Sequence, residues 1–206
     1  AGAGDVNNDG FDDVVLGANS FDFEELDAGR AVVFLGGPFG IGAGTPSTAD
    51  GIASSVQAGA NLGISVAGAG DVNGDGFDDV LVGSHVYDAG QIDEGVVLLI
   101  LGSPSGVPIE TSAVTASILL QSDQDAARLG VSVAGLGDVN GEGYDDVGVG
   151  AQAFDSGQTD EGAAFVYLGS SDGLSGFPLA NASLESAQVN AELGRSVAAA
   201  GDVNND

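Results

Sequence analysis

The chain has no cysteine, no methionine and no lysine; its basic side chains are three arginines, Arg30, Arg128 and Arg195, and one histidine, His85. Without cysteine there are no disulfides and no thiol chemistry, and the redox compartment is not legible from thiols. Against so few bases stand 31 Asp and Glu, for a formal net charge of −28. Such a surface repels nucleic acid and anionic membrane and attracts cations. No window approaches the roughly 18 consecutive apolar residues of a membrane helix, which argues against membrane insertion. The chain does not start with methionine, carries no signal peptide, and has both ends inside the repeat described below. It therefore reads as a segment of a longer or processed protein.

An acidic balance of this size also occurs in disordered chains, but here the acids are interleaved with regular apolar runs, and 43% of the residues are hydrophobic. That is enough to bury a core. The 36 glycines exceed the average share and favour tight turns between short strands.

The organising feature is a repeat. "GDVNNDGFDDVVLG" starts at Gly4, "GDVNGDGFDDVLVG" at Gly70, "GDVNGEGYDDVGVG" at Gly137, and a cut-off "GDVNND" at Gly201. The leading aspartates, Asp5, Asp71, Asp138 and Asp202, are 66, 67 and 64 residues apart. A period of that length identifies repeated supersecondary units. The repeats run over about 1–61, 62–128 and 129–192, and 193–206 starts a further one, all within a single propeller region over 1–206.

In the second copy, residues 62–70 alternate as a half-buried strand and run into the acidic loop. Residues 79–84 form a short apolar run expected to be buried on both faces, residues 96–102 form a third, and a weaker fourth lies around 116–122. Four strands in about 65 residues, without helical periodicity, predict an all-β fold, a β-propeller of four-stranded blades. A β-solenoid is the alternative, although its repeats are usually shorter. On this count the first blade lacks its first strand and residues 193–206 begin a fourth blade, about three blades' worth in all, below the 4 to 8 of a closed ring. The ring is then partial, or is completed by other segments or copies.

Counted from its first aspartate, the acidic loop carries oxygen-bearing side chains at positions 1, 3, 5 and 9: Asp5, Asn7, Asp9 and Asp13 in the first copy. Alternate residues of a tight loop point to one side, Gly10 at position 6 permits a sharp turn, and Phe11 at position 7 offers its carbonyl. Two carboxylates about 4 Å apart repel by about 4 kcal/mol at an effective dielectric near 20, so three converging on nothing would be costly. A cation reverses the sign. An all-oxygen set suits Ca²⁺, whereas zinc or copper would want His or Cys. The bland reading, an Asx-rich turn with its carboxylates splayed into water, weakens with each copy at the same spacing. The loop is not an EF-hand, because position 12 is Leu16, Val82 or Val149 where that motif needs a bidentate Glu. It runs straight into a strand, which also argues against dockerin-type modules, and it lacks the tandem nine-residue glycine repeat of a calcium-binding β-roll.

The combination resembles the FG-GAP repeat of integrin α-subunit propellers and their bacterial relatives. Its two signatures appear as "LGISVA" (62–67), "LGVSVA" (129–134) and "LGRSVA" (193–198), followed by "VGS" (82–84) or "VGA" (149–151), with "LGA" (16–18) in the first copy. Leu replaces the usual Phe, and the Pro that often ends the second signature is missing. The resemblance covers essentially the whole chain. It implies a propeller with calcium loops between the first and second strands of each blade. Carried over residue by residue, it implies ligands Asp5, Asn7, Asp9, the Phe11 carbonyl and Asp13; Asp71, Asn73, Asp75, the Phe77 carbonyl and Asp79; and Asp138, Asn140, Glu142, the Tyr144 carbonyl and Asp146. Glu142 departs from the pattern and reaches differently or weakens its site. Asp202, Asn204 and Asp206 form a fourth, truncated set. The aspartates at position 8, Asp12, Asp78 and Asp145, are expected to face away from the cation into solvent.

A second acidic connection, "DFEELDAG" (22–29), "DAGQIDEG" (88–95) and "DSGQTDEG" (155–162), reads as a solvated loop rather than a second cation site. Ser65, Ser132 and Ser196 share one repeat position without a matched base, and His85 stands alone at a strand end. No catalytic constellation is present, and the chain reads as non-enzymatic. Two classes remain. One is an extracellular or cell-surface adhesion module that binds a protein or carbohydrate, with structural Ca²⁺; the other is a building block of an extracellular assembly made by self-association. A non-catalytic propeller attached to a secreted enzyme is a third, weaker reading.

Overall fold

The fold is seen in a computed structural model, which describes residues 1–109, 111–113, 115–175 and 179–201. The truncated loop with Asp202, Asn204 and Asp206 lies outside the described residues.

Three four-stranded antiparallel sheets follow one another along the chain. The first contains β1 (Gly2–Gly4), β2 (Asp13–Ala18), β3 (Arg30–Phe34) and β4 (Gly51–Ser54). The second contains β5 (Ser65–Gly70), β6 (Asp79–Ser84), β7 (Val96–Ile100) and β8 (Ile118–Gln121). The third contains β9 (Leu129–Gly137), β10 (Asp146–Ala151), β11 (Ala163–Tyr167) and β14 (Ala182–Glu185), with a small hairpin, β12 (Gly169–Ser170) and β13 (Gly173–Leu174), in the connection between β11 and β14. Each sheet is a meander in which every strand pairs with its sequence neighbour, apart from that inserted hairpin. The three sheets match the four-stranded propeller blades expected from the repeat. The first blade is complete, because Gly2–Gly4 pairs with β2 as a short first strand, contrary to the expectation that this strand is missing. Among the described residues, 193–201 form no strand and pair only through a single parallel bridge from Gly162 to Leu193. No described helix is long and apolar enough to cross a membrane.

Two apolar layers hold the blades face to face. Ala3, Val15, Ala31 and Val33 of the first blade pack on Val80, Val82, Leu98 and Ile100 of the second. The other face of the second blade, with Leu81, Val97, Leu99 and Leu120, packs on Val147, Val149 and Tyr167 of the third. The run 79–84 is buried at every position, as its short apolar stretch predicts. Each fully buried leucine among these contributes about 1.5–3 kcal/mol. Where no described blade follows, equivalent positions are open: Val6 and Val72 are fully buried, whereas Val139 is 57% exposed.

Glycine sets how closely blades approach. A Cβ on Gly83 of β6 would lie 2.2 Å from the carbonyl oxygen of Gly130, and one on Gly150 of β10 would lie 1.8 Å from that of Gly194. The glycine of one signature therefore meets the glycine of the next repeat's other signature, backbone to backbone. Ser65 and Ser132 reinforce the same contact by donating from Oγ to the carbonyls of Gly130 and Gly194, each at 2.7 Å. Gly83→Ala should destabilise the chain by about 1–3 kcal/mol in urea unfolding, because the obstacle is backbone that cannot swing aside. Gly2→Ala, where a Cβ meets nothing within 4 Å, should be near neutral in the same assay.

Candidate metal centre

Each acidic loop bridges the first two strands of a blade, and strand register brings its ends together. Gly4 pairs with Asp13, Gly70 with Asp79 and Gly137 with Asp146, each at a shift in register. The three glycines have left-handed φ of +77°, +74° and +73°, a conformation that favours glycine. Position 1 of the loop thereby starts beside position 9.

Inside the loop the backbone wraps around the first aspartate. Asp71 Oδ1 accepts from the N–H groups of Gly74 at 2.7 Å and Asp75 at 3.1 Å, while Oδ2 accepts from Gly76 at 2.8 Å. Asp138 repeats this with Gly141, Glu142 and Gly143, and Asp5 with Asp9 and Gly10. These donors hold the Asp138 carboxyl below its usual range. Asn73 Oδ1 accepts the Asp75 N–H at 3.0 Å, and Asn73 Nδ2 donates to Asp75 Oδ2 at 2.9 Å, so positions 1, 3 and 5 are drawn together. Asn7 and Asp9 match this pair. The carbonyls of Phe11, Phe77 and Tyr144 accept no hydrogen bond from the described residues.

The third loop differs at position 5. Asn140 Oδ1 still accepts the Glu142 N–H at 3.0 Å, but among the described residues the Glu142 carboxylate takes on neither the Asn nor the position-7 N–H that Asp9 and Asp75 accept. The extra methylene carries it out of the ring of contacts.

Position 9 sits deeper. Asp13, Asp79 and Asp146 are at most 1% exposed. Asp79 accepts the Val72 N–H at 3.0 Å and the Gly102 N–H at 2.8 Å, one on each oxygen. Asp13 does the same with Val6 and Gly36, and Asp146 with Val139 and Gly169. These carboxylates staple the acidic loop to the connection leaving the third strand of the same blade. Among the described residues no three acidic or imidazole side chains form a ready-made cage, so position 9 is not gathered with positions 1 and 5 in that sense. Each bonded oxygen nevertheless keeps a second lone pair.

Burial pushes the Asp79 carboxyl up to about 7 against its two backbone donors, and the charges of Asp75 and Asp71 push the same way. Burial likewise raises Asp13, with Asp5 and Asp9 adding repulsion.

The position-8 aspartates are not solvent-facing where a blade precedes their own. Asp78 Oδ2 accepts the N–H of Asp5 at 2.8 Å, and the Asp78 N–H donates to the Asp5 carbonyl at 3.2 Å. Asp145 and Asp71 repeat the pair at 3.0 and 3.1 Å. Asp12 alone is exposed. Burial raises the Asp145 carboxyl, partly offset by the Asp71 N–H.

The second acidic connection is also more than a solvated loop. Glu94 is fully buried and accepts the N–H groups of Ala89, Gln91 and Asp123, and Glu161 accepts those of Ser156 and Gln158. Gln57 clasps the backbone of Asp88 in the next blade through both its amide atoms, at 2.8 and 3.1 Å, and Gln124 clasps Asp155 at 2.7 and 2.9 Å. The sequence signal for these clasps is the recurring Ser-x-Gln of residues 55–57, 122–124 and 186–188. His85 follows β6 half-buried, with burial first and the Arg128 charge second holding it below its ordinary value.

A carboxyl raised by the fold stabilises while protonated, so Asp79 should contribute stability below about pH 4 that is lost as pH rises through about 7. In chelator, the melting temperature should fall between pH 5 and pH 8, by an amount on the order of 2–4 kcal/mol of stability. Asp79→Asn should flatten the slope; a slope unchanged in that variant would place its origin in other groups.

Comparison with known proteins agrees with this architecture. The FG-GAP repeat model matches residues 1–34 and 62–95. Integrin alpha-5 of Xenopus laevis is 31% identical over 178 residues, 84% of this chain and 16% of that protein. Integrin alpha-IIb of Mus musculus is 40% identical over 113 residues, 52% of this chain and 10% of that protein. Phosphatidylinositol-glycan-specific phospholipase D of Mus musculus is 36% identical over 105 residues, 50% of this chain and 12% of that protein. The chain thus spans a small part of the length of these relatives. With three four-stranded blades and repeated acidic loops, it is built of FG-GAP repeats and is homologous to the N-terminal propeller region of the integrin alpha subunits.

Proposed function

We propose that residues 1–206, with repeats at about 1–61, 62–128 and 129–192, form an extracellular, calcium-stabilised propeller region that serves adhesion by presenting a face to a protein or carbohydrate ligand. The observation that carries this reading is the threefold recurrence of one all-oxygen loop in one backbone conformation, Asp, Asn, Asp or Glu, a free carbonyl and a buried Asp at positions 1, 3, 5, 7 and 9. Hard oxygens without His or Cys favour Ca²⁺. Burial is the main cause that raises Asp79 and Asp13, and a divalent cation would offset it and relieve the smaller repulsion from the neighbouring aspartates. In this reading Asp5, Asn7, Asp9, Phe11 and Asp13 hold one ion, and Asp71, Asn73, Asp75, Phe77 and Asp79 a second. Asp138, Asn140, Glu142, Tyr144 and Asp146 hold a third more weakly. The ion is structural, and the chain itself carries out no catalysis.

One specific observation favours another role. The similarity to phosphatidylinositol-glycan-specific phospholipase D suits a non-catalytic propeller joined to an enzyme.

Thermal melts in chelator, millimolar Ca²⁺ and millimolar Mg²⁺ test the calcium reading. Free calcium at about 100 times Kd should add about 2.7 kcal/mol per independent site, and Mg²⁺ should add little. Superimposable melts would refute it. Glu142→Asp should restore the loop contacts seen at Asp75 and raise the Ca²⁺ affinity of the third loop, read by calorimetry with Asp5→Asn and Asp71→Asn silencing the others.

A further inference from the structure

Asp5 and Asp71 stand at position 1 of their loops, and each is gripped twice by a residue that belongs to the following blade. Asp78 accepts the Asp5 N–H and donates to the Asp5 carbonyl; Asp145 does both to Asp71. The next residue in each loop is held from the same blade, since the Ser103 N–H donates to the Val6 carbonyl at 3.1 Å and the Ser170 N–H to the Val72 carbonyl at 3.0 Å. The grip leaves no spare volume. A Cβ on Gly4 or Gly70 would fall 2.0 or 1.9 Å from the Oδ2 of Asp78 or Asp145. The third loop is the internal control. Gly137 keeps the same left-handed conformation, yet a Cβ there would meet nothing within 4 Å, and Asp138 is exposed where Asp5 and Asp71 are half-buried. The glycine conformation therefore belongs to the loop, and the restraint on position 1 comes from the neighbouring blade.

We propose that Asp78 and Asp145 are positioning residues for the cation site of the preceding blade, so that a side chain lying in one loop governs the affinity of the loop before it. The inference rests on the calcium reading above. Position 1 supplies a carboxylate to the ion, and its backbone carries that carboxylate; fixing N–H and C=O from outside removes freedom that binding would otherwise have to freeze. Groups that orient a metal ligand commonly influence affinity by about 10- to 100-fold when removed. Docking of a blade and cation binding in the blade before it are accordingly one linked equilibrium, and each strengthens the other by the same factor. The first two loops therefore bind as parts of a joint between blades.

The test is calcium calorimetry on the full chain with one loop left intact. With Asp5→Asn and Asp138→Asn leaving the second loop, Asp145→Ala should lower affinity about 10- to 100-fold. With Asp5→Asn and Asp71→Asn leaving the third loop, where Asp145 itself resides, Asp145→Ala should change affinity less than about threefold. Asp145→Asn keeps an acceptor oxygen for the Asp71 N–H and should recover most of the loss. Weakening of the third loop instead of the second, or equal weakening of both, would overturn the proposal. If Asp145→Ala fails to fold, Asp78→Ala read on the first loop makes the same discrimination. Absence of calcium heat from the parent chain would refute the calcium reading on its own. The grip itself is then read in chelator by hydrogen exchange of the Asp71 amide, which Asp145→Ala should accelerate; unaltered exchange would refute the grip.

Discussion

With three arginines against 31 acidic residues, an acidic side chain here seldom meets a cationic one, and among the described residues the single ion pair is the exposed Arg195–Glu192 contact. The backbone N–H takes the cation's place. Asp13, Asp79 and Asp146 staple loop to sheet, Glu94 and Glu161 organise the connections near the opposite ends of the strands, and Asp78 and Asp145 join one blade to the next, all by accepting from the main chain. Hydrogen bonds to an ionised acceptor are stronger than neutral ones, and a carboxylate has room for several. Breaking one such pair leaves a buried charge or a buried N–H unpaired, which is why these residues constrain so much of the surrounding structure.

The same economy explains the glycines. A joint in which β6 passes within backbone contact of Gly130 has no space for a side chain, so the apolar layers on either side can close to interior packing density. Ser65 and Ser132 then satisfy the carbonyls that close approach has removed from water. Arg30 is the exception among the bases. It is buried, its guanidinium lies 4.9 and 4.1 Å from the ring centroids of Phe21 and Phe23, and its Nε donates to Ser54. Aromatic faces serve there as the partner a carboxylate would otherwise be.

Much of this is legible in the sequence. The period of about 66 residues, the apolar runs and the loop spacing lead to four-stranded blades, and the buried strand 79–84 falls where its apolar run placed it. Other features are not legible there, for identifiable reasons. Gly2–Gly4 carries no strand signal of its own and becomes a strand only because β2 offers it a partner. Asp12, Asp78 and Asp145 look alike in sequence, yet two are clamps and one is exposed, since the difference is the presence of a blade on one side. Gln57 and Gln124 recur in register with the signatures, but a recurring polar residue in a loop does not announce that its partner lies 31 residues away.

By itself, the sequence determined the kind of unit and the chemistry of its loop: spacing fixes which side chains share a face of a tight turn, and local glycines fix where the chain turns left-handed. Only the tertiary structure decided which carboxylates answer to their own loop and which to a neighbour's. That choice depends on the distance between blades, set by side-chain volumes across a joint that no single repeat contains.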